Sequence, residues 1–193
     1  MGASVAFHLA RLGITNVVLL ERESQLGTAS TGRNAGGVRH QFSQQANVRL
    51  SIESIEVFED FEAIVGSPID FHQDGYLFLL NEPAHVDAFR AARVMQQTLG
   101  VSVDWLDAGA AARLVPGLLT DGVAAATYCA RDGISDPNGV TMGFASAAKR
   151  AGVEIRRGAD AIGIEVDARD GFRDHGAPPG AGDSGYQRRA AGG

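Results

Sequence analysis

The amino-acid sequence predicts an α/β fold in which helices alternate with strands of a parallel sheet. A continuous apolar run at residues 17–20 is typical of a strand that is buried on both faces of such a sheet. Helical periodicity lies before and after this run, and the alternation of helix and strand returns over residues 140–166. This order of elements favours βαβ units over an all-helical or all-strand fold.

The composition is that of an ordinary globular protein, with 45% hydrophobic and 21% charged residues among 193. The net charge of −6 argues against nucleic acid or anionic lipid as a partner. No apolar run approaches the roughly 18 residues of a membrane span. The single cysteine, Cys129, excludes an internal disulfide and a cysteine-built metal site. The first residues lack the pattern of a secretory signal, which predicts a cytoplasmic location.

The first half of the chain is predicted to alternate helix, strand and loop. A short helix over residues 5–12 closes at Gly13, and a strand follows at residues 16–21. Residues 24–43 are rich in Gly, Ser, Thr and Asn and predict a long loop, a kind of segment that is often functional in a compact domain. Residues 44–66 repeat apolar side chains every three or four positions and predict one helix, followed by a strand at 75–80.

The second half continues the alternation and then changes in composition. Pro83 opens a helix that ends at Gly100, residues 101–106 predict a strand, and Asp107 is expected to cap a short helix. A strand at 122–130, turns at 132–139, a helix at 140–151 and strands at 153–156 and 161–166 follow. Residues 171–193 contain no Val, Ile, Leu or Met, so residues 168–193 are predicted to form a disordered tail.

Gly2 and Glu21 form the first candidate site. In a dinucleotide-binding βαβ unit a glycine-rich turn brings the helix N-terminus to a pyrophosphate, and an acidic residue about 20 positions on binds the ribose. Gly2 opens a predicted helix and Glu21 ends the next strand, although the first strand and first two glycines of such a fingerprint are absent. The alternative is an ordinary helix–strand pair with a solvated glutamate, and these residues alone favour neither.

The glycine-rich segment 27–40 is the second candidate site. It combines glycines, hydroxyl side chains, Asn34 and two arginines, a set that suits a phosphate-bearing ligand. The alternative is a flexible surface loop. Its position directly after the Glu21 strand, and its mixture of Asn and Arg with glycine, favour the binding loop over a spacer.

Several collinear motifs resemble the FAD-dependent oxidoreductases of the D-amino-acid oxidase superfamily, especially sarcosine oxidase β subunits. They are Gly-Ala-Ser-Val-Ala-Phe-His-Leu-Ala at residues 2–10, Val-Val-Leu-Leu-Glu-Arg at 17–22, Ser-Thr-Gly-Arg-Asn-Ala-Gly-Gly-Val-Arg at 30–39, the strand at 74–79 and Asp-Gly-Ile-Ser-Asp-Pro at 132–137. The resemblance covers about residues 1–167, and the tail lies outside it. The chain resembles an internal piece of such an enzyme.

The resemblance implies a Rossmann-like FAD-binding domain, with its first strand missing, interrupted by part of an α+β substrate domain. The expected boundaries are 1–70 and 131–167 for the two parts of the FAD-binding domain and 71–130 for the part of the substrate domain. The implied cofactor is FAD. The implied reaction is oxidation of a C–N bond in a small amine or amino acid of the sarcosine, glycine or proline type, with a partner subunit or an electron acceptor as a further partner.

The resemblance also implies roles for individual residues. Arg39 and His40 fall where relatives place basic side chains near the flavin ring, and are the candidate catalytic residues. The candidate FAD-binding residues are Gly2, Ala3, Ser4, Glu21, Arg22, Ser30, Thr31, Arg33, Asn34, Ala35, Gly36, Gly37 and Ala161.

Other residues and other functions are weaker candidates. His72 is expected at the surface, Tyr76 in the core and Asp136 in a turn, and Cys129 is expected to be a small buried apolar residue. No metal site is predicted. An NAD-linked dehydrogenase is a weaker hypothesis, because the segment 30–37 would have no role in such an enzyme. A catalytically inactive fragment, or an FAD-binding module that works with a partner chain, is the alternative to a complete enzyme.

Overall fold

A computed structural model of the chain describes residues 1–167 and 171–176. Six helices and ten strands lie in this part. The helices are α1 (Gly2–Arg11), α2 (Gln45–Glu59), α3 (Phe61–Val65), α4 (Pro83–Thr98), α5 (Ala108–Leu114) and α6 (Pro137–Arg150). The strands are β1 (Val18–Glu21), β2 (Gly37–Val38), β3 (Phe71–His72), β4 (Tyr76–Leu80), β5 (Asp104–Leu106), β6 (Ala125–Cys129), β7 (Gly133–Ser135), β8 (Glu154–Arg157), β9 (Ala161–Asp167) and β10 (Gly171–Gly176).

The predicted α/β class is confirmed by a parallel strand pair covered by helices. Strand β1 pairs with β8 in parallel, with Val18 opposite Glu154 and Glu21 opposite Arg157. Helices α1 and α6 pack together beside this pair around Phe7, Phe61 and Phe144, whose rings meet at centroid distances of 4.9–5.5 Å. This aromatic cluster holds the middle of α1 and the beginning of α3 against the middle of α6.

The prediction that β1 is buried on both faces is wrong. Val18 is 46% exposed, and the other three residues of the strand are half-buried. Within the described residues β1 pairs with β8 alone. One edge of β1 therefore has no neighbouring strand there, whereas a central strand of a parallel sheet has one on each edge. The prediction that this run forms a parallel strand is confirmed by its pairing with β8. β-Branched residues favour strand geometry even where the strand is only half-buried.

Two antiparallel sheets carry the middle of the chain. The larger has the strand order β4–β6–β5 and is flanked by α4 and α5. The smaller has the order β2–β7–β3 and joins the glycine-rich loop to the segment that follows β6. Strand β3 at residues 71–72 pairs with β7 across the expected boundaries at residues 70 and 130, and the division into domains stays a prediction.

The helix boundaries agree with the capping residues. Asp107 accepts a hydrogen bond from the Ala110 amide at 2.6 Å and begins α5, as predicted. Asp136 accepts hydrogen bonds from the Asn138 and Gly139 amides, at 3.0 and 2.8 Å. It is therefore the N-cap of α6 rather than a simple turn residue.

Three segments differ from the sequence prediction. The helix predicted over 44–66 is divided at Asp60, where φ is −113°, into α2 and α3. The turn predicted at 132–139 contains the short strand β7, because its pairing partners come from β2 and β3 and cannot be read locally. Part of the predicted disordered tail, Gly171–Gly176, forms β10 antiparallel to β9. A hairpin pairs through backbone groups and does not need apolar side chains. Residues 168–170 and 177–193 lie outside the described residues.

An ion pair ties the end of α2 to the segment between β6 and β7. Arg131 donates to both carboxylate oxygens of Glu59, at 2.9 and 2.7 Å, and Gln73 donates to Glu59 at 2.8 Å. The hydrogen bonds from the Arg131 guanidinium hold the pKa of Glu59 below its ordinary value, because their effect is larger than the rise in pKa that partial burial causes. The pair therefore stabilises the fold at pH values above the ordinary pKa of glutamate, and this contribution is lost as the pH falls through the lowered pKa.

Glu59→Gln is expected to lower the free energy of unfolding by about 0.5–1 kcal/mol at pH 7, since both partners are partly exposed. The difference from the wild type should disappear at an acidic pH below the lowered pKa of Glu59, where the carboxyl group is protonated in both states. Urea denaturation at the two pH values measures this. In a double-mutant cycle with Arg131→Gln, fully additive effects would contradict the pairing.

Candidate functional site

A cavity of about 700 Å³ lies between α1, β1, α2 and α6. The start of α1 and the end of β1 form one side of it, and the second half of α2 forms another. This volume falls within the range of roughly 300–1,000 Å³ that small-molecule and cofactor sites occupy. The predicted residues that line it are Gly2, Ala3, Ser4, Glu21 and Thr31.

The N-terminus of α1 opens into this cavity with its backbone amides free for a ligand. No side chain caps α1, and its first turn holds no acidic residue. A helix N-terminus of this kind favours an anion such as a phosphate. A Cβ at Gly2 would lie 3.1 Å from Leu19 Cδ1, so glycine lets α1 approach β1 closely at this point.

Glu21 lies at the end of β1 and on the wall of the same cavity. Its Oε1 accepts a hydrogen bond from the Glu23 amide at 2.9 Å, which holds the carboxylate in place. The neighbouring Arg22 is directed elsewhere, since it pairs with Glu23 at 3.1 Å on the surface. The structure thus brings Gly2 and Glu21 together at one cavity, as the spacing of a nucleotide-binding unit predicts.

Asn34 organises the glycine-rich loop from within. Its Nδ2 donates to the Thr31 carbonyl at 2.7 Å, and its Oδ1 accepts from the Gly36 amide at 2.7 Å. Gly36 has a positive φ of 79° and packs against the Ser135 backbone, while Gly37 packs against the Tyr76 ring. The loop is therefore a built structure anchored on β7 and β4, rather than a flexible spacer.

Some predicted cofactor residues lie away from the cavity lining. Arg33 and Ala35 are exposed, Ser30 precedes the 3₁₀ turn Thr31–Arg33, and Ala161 is exposed at the start of β9. None of these lines the cavity described above. Their roles toward a cofactor stay predictions.

A second cavity, of about 430 Å³, adjoins the first and contains Arg39. The two share Leu50, Ser54 and Phe58 of α2 as lining residues. The guanidinium carbon of Arg39 lies 4.8 Å from the Phe42 ring centre, and it also lies over the rings of Tyr76 and Phe78 at 5.8 and 5.4 Å. Stacking on three rings holds the cation in one region through cation–π attraction.

Arg39 is a cation without a protein counter-ion in the described part of the chain. It takes part in none of the ion pairs found there, and its Nε is buried without a hydrogen-bond partner. A buried polar group without a partner is costly. A ligand anion in the second cavity would supply the missing interaction.

His40 follows Arg39 directly in the sequence, but its side chain lies in a different environment. It is 2% exposed and points into the core, whereas Arg39 lines the second cavity. Its Nδ1 donates to Asp132 Oδ1 at 2.6 Å, and its backbone amide donates to the same oxygen at 2.7 Å. The Sγ atom of Cys129 lies 3.8 Å from His40 Nδ1. Burial, reinforced by the Asp132 carboxylate, raises the pKa of Cys129 to about 12, so the thiol stays protonated at neutral pH.

The side chains of His40, Cys129 and Asp132 are of types that ligate metals, and the sequence did not bring them together. Their ligand atoms lie within 4.8 Å of one another. Two ligands of one tetrahedral ion, each at about 2.0–2.1 Å, lie roughly 3.3 Å apart. The 2.6 Å between His40 Nδ1 and Asp132 Oδ1 is instead the length of a charge-assisted hydrogen bond. The cluster is therefore a hydrogen-bonded network.

Sequence reasoning missed the contribution of α2 to both cavities. Leu50 and Ser54 line both of them, and Leu50 is 67% exposed. The signal was present, because Leu50 is a large apolar residue off the buried stripe of Val48 and Ile55. His72 is exposed beside Asp70, as expected, whereas Tyr76 contacts Gly37 and Arg39 rather than the core alone.

No helix in the described part of the chain is both long and apolar enough to cross a membrane.

Comparison with known proteins found relatives in sequence and in fold. The chain is 32% identical to mitochondrial dimethylglycine dehydrogenase of Rattus norvegicus over 157 residues, which are 81% of this chain and 18% of that protein. The structure superposes on L-proline dehydrogenase from P. horikoshii with a TM-score of 0.77 and 29% identity, covering 89% of this chain and 47% of that one. Glycine oxidase from Geobacillus kaustophilus, 22% identical with a TM-score of 0.76, shares the fold and covers 91% of this chain and 48% of that one.

The chain thus spans less than a quarter of the mitochondrial dehydrogenase and about half of the proline dehydrogenase. The family profile for FAD dependent oxidoreductases, DAO, matches residues 1–185. The expectation that the resemblance ends near residue 167 is therefore wrong, since the match continues into the segment whose composition differs. The chain belongs to the DAO family of FAD dependent oxidoreductases.

Proposed function

We propose that this protein is part of an FAD-dependent oxidoreductase that oxidises a C–N bond in a small amine or amino acid. The observation that carries the proposal is the pair of adjoining cavities. One lies at the uncapped N-terminus of α1, and the other contains Arg39, which has no ion-pair partner among the described residues. Relatives named dimethylglycine dehydrogenase, sarcosine dehydrogenase and 4-methylaminobutanoate oxidase support the substrate class.

In this proposal the first cavity holds FAD. The first-turn amides of α1, contributed by Gly2, Ala3 and Ser4, face the pyrophosphate, because a helix N-terminus favours negative charge. The Glu21 carboxylate accepts hydrogen bonds from the ribose hydroxyls. Thr31 lies on the same wall, and the loop that Asn34, Gly36 and Gly37 organise covers the flavin side.

The chemistry divides between cofactor and chain. Bound FAD supplies a two-electron acceptor for the C–H bond next to nitrogen, and water hydrolyses the resulting imine. Arg39 binds the substrate carboxylate, since it is a cation that finds no carboxylate partner in the described part of the chain. Phe42 and Phe58 line the second cavity and offer an apolar surface to the substrate beside Arg39.

The role proposed for His40 differs from the sequence-based one. A side chain that is 2% exposed and hydrogen-bonded to Asp132 has no free face for a substrate. We assign it to holding the loop, and Arg39 alone to substrate contact.

Glu21→Gln is expected to weaken FAD binding by roughly 10- to 100-fold, because it removes the charge from a hydrogen-bonded ribose contact. Titration of the chain with FAD, followed by flavin fluorescence, measures the affinity. Glu23→Gln is the matched control, since Glu23 is two residues away, is exposed and pairs with Arg22 on the surface. Equal affinity of the two variants for FAD would contradict the assignment of Glu21.

A second candidate function is an FAD-binding module that needs a partner chain, or an inactive fragment. The observation that favours it is that β1 pairs with β8 alone within the described residues, so the parallel sheet beside the first cavity has two strands there. Retained flavin absorption after FAD incubation and desalting supports a working cofactor site. Bleaching of that absorption by sarcosine, dimethylglycine, glycine or proline then separates an active enzyme from a module that requires a partner.

We also propose a cytoplasmic location, with which the reduced and buried Cys129 is compatible. Cell fractionation followed by immunoblotting tests this.

A further inference from the structure

A buried carboxylate connects three distant parts of the chain next to the second cavity. Asp132 is 0% exposed and lies between β6 and β7. Its Oδ1 accepts hydrogen bonds from the amide and the Nδ1 of His40, and its Oδ2 accepts one from Gln41 Nε2 at 3.2 Å. The Asp132 carbonyl also accepts from the Gly75 amide at 2.9 Å, just before β4.

These contacts restrain both the backbone and the surroundings of Arg39. His40 and Gln41 follow Arg39 directly, so their hydrogen bonds to Asp132 fix the chain at the point where the Arg39 side chain leaves it. Gln41 Nε2 donates in addition to the Tyr76 carbonyl at 2.9 Å, and Tyr76 is one of the rings beside the guanidinium. The hydrogen bonds of the Asp132 carboxylate therefore fix the position of Arg39 relative to β4.

A contribution to stability does not by itself account for the buried contact between Asp132 and His40. Replacing a buried ion pair by apolar groups of similar volume is often neutral or stabilising, because the charges lose their hydration. What a buried hydrogen-bonded network does favour is one arrangement of its donors over others. Here that arrangement determines where the guanidinium stands in the cavity.

We propose that Asp132 is a positioning residue for Arg39, acting through His40 and Gln41 to hold the guanidinium at the second cavity. The contact between Arg39 and a substrate carboxylate rests on the proposed function. The positioning itself rests on the hydrogen bonds and ring contacts described above.

The test uses NMR of the full chain and the side-chain protons of Arg39. Three rings around the guanidinium shift these protons upfield, so their chemical shifts report whether Arg39 is in place. We expect Asp132→Asn to lose this shift, because asparagine replaces one of the two acceptor oxygens by an NH2 donor, which then faces the donors of either His40 or Gln41. His40→Ala should also lose it, whereas His40→Asn, which keeps an N–H donor near the position of Nδ1, should retain it.

A binding measurement with 3-methylbutanoate, a carbon analogue of dimethylglycine, gives the second readout. Asp132→Asn and His40→Ala should bind it roughly tenfold more weakly than the wild type, and His40→Asn should bind it almost normally. If Asp132→Asn does not fold, the two His40 variants carry the test. Unchanged Arg39 shifts in a folded Asp132→Asn or His40→Ala variant, with a lowered melting temperature only, would overturn the proposal.

The outcomes distinguish this inference from the proposed function. A wild-type chain that shows the Arg39 shifts but does not bind 3-methylbutanoate refutes the carboxylate contact and leaves the positioning intact. A chain that binds the carboxylate equally well in all variants refutes the positioning and leaves the carboxylate site intact.

Discussion

Gly36→Ala is expected to lower the free energy of unfolding by at least about 3 kcal/mol. Gly36 has a φ of 79°, where an L side chain is strained by about 1–2 kcal/mol. A Cβ there would also overlap the carbonyl oxygen of Ser135, which is backbone and cannot rotate away. The pairing of β2 with β7 has to open to accommodate it.

Gly27→Ala is the matched control for this prediction. Gly27 has the same φ of 79°, but a Cβ at that position would make ordinary contacts, at 3.8 Å. It should therefore cost only the strain of the left-handed conformation, about 1–2 kcal/mol. Urea denaturation of both variants measures the difference. Equal losses of stability would show that the approach of Gly36 to Ser135 contributes nothing.

Arg39→Met is expected to weaken carboxylate binding by about 100-fold or more, since it removes the charged donor of the second cavity. Methionine keeps the apolar stem beside Phe42, so the fold should survive. The measurement is the dissociation constant of 3-methylbutanoate compared with that of its neutral amide. Only the carboxylate should lose affinity.

Arg33→Met is the control for Arg39→Met. Arg33 is exposed in the same loop, at the end of the 3₁₀ turn, and lies outside both cavities. Removing its charge changes the net charge by the same amount, so any general electrostatic effect on anion binding appears in both variants. If the two variants lose carboxylate affinity equally, Arg39 has no specific contact with the anion.

Elements with local causes could be predicted from the sequence. The helix from Gly2, the strand ending at Glu21 and the capping of α5 by Asp107 follow from periodicity, β-branched content and one side-chain hydrogen bond. The distance along the chain from Gly2 to Glu21 also placed both residues at one cavity, because a helix followed by a parallel strand returns the chain to the same edge.

The candidate site was predicted only in part, because half of it comes from residues far apart in sequence. The motif Arg39-His40 suggested two basic groups near the same ligand. In the fold they separate, since Asp132, 92 residues from His40, takes the imidazole into the core. Phe42, Tyr76 and Phe78 surround Arg39 at the cavity instead.

The amino-acid sequence by itself predicted the α/β class, the family that the motifs around Asn34 resemble, and a site that contains both Gly2 and Glu21, which line one cavity in the structure. These features could be predicted because they depend on residues within about 20 positions of one another, or on motifs that occur in the same order as in the family. The tertiary structure alone decided that β1 is half-buried, that α2 lines both cavities, and that His40 is a core residue while Arg39 lines the second cavity. Burial and charge pairing depend on which distant segments meet, and local pattern does not contain that information.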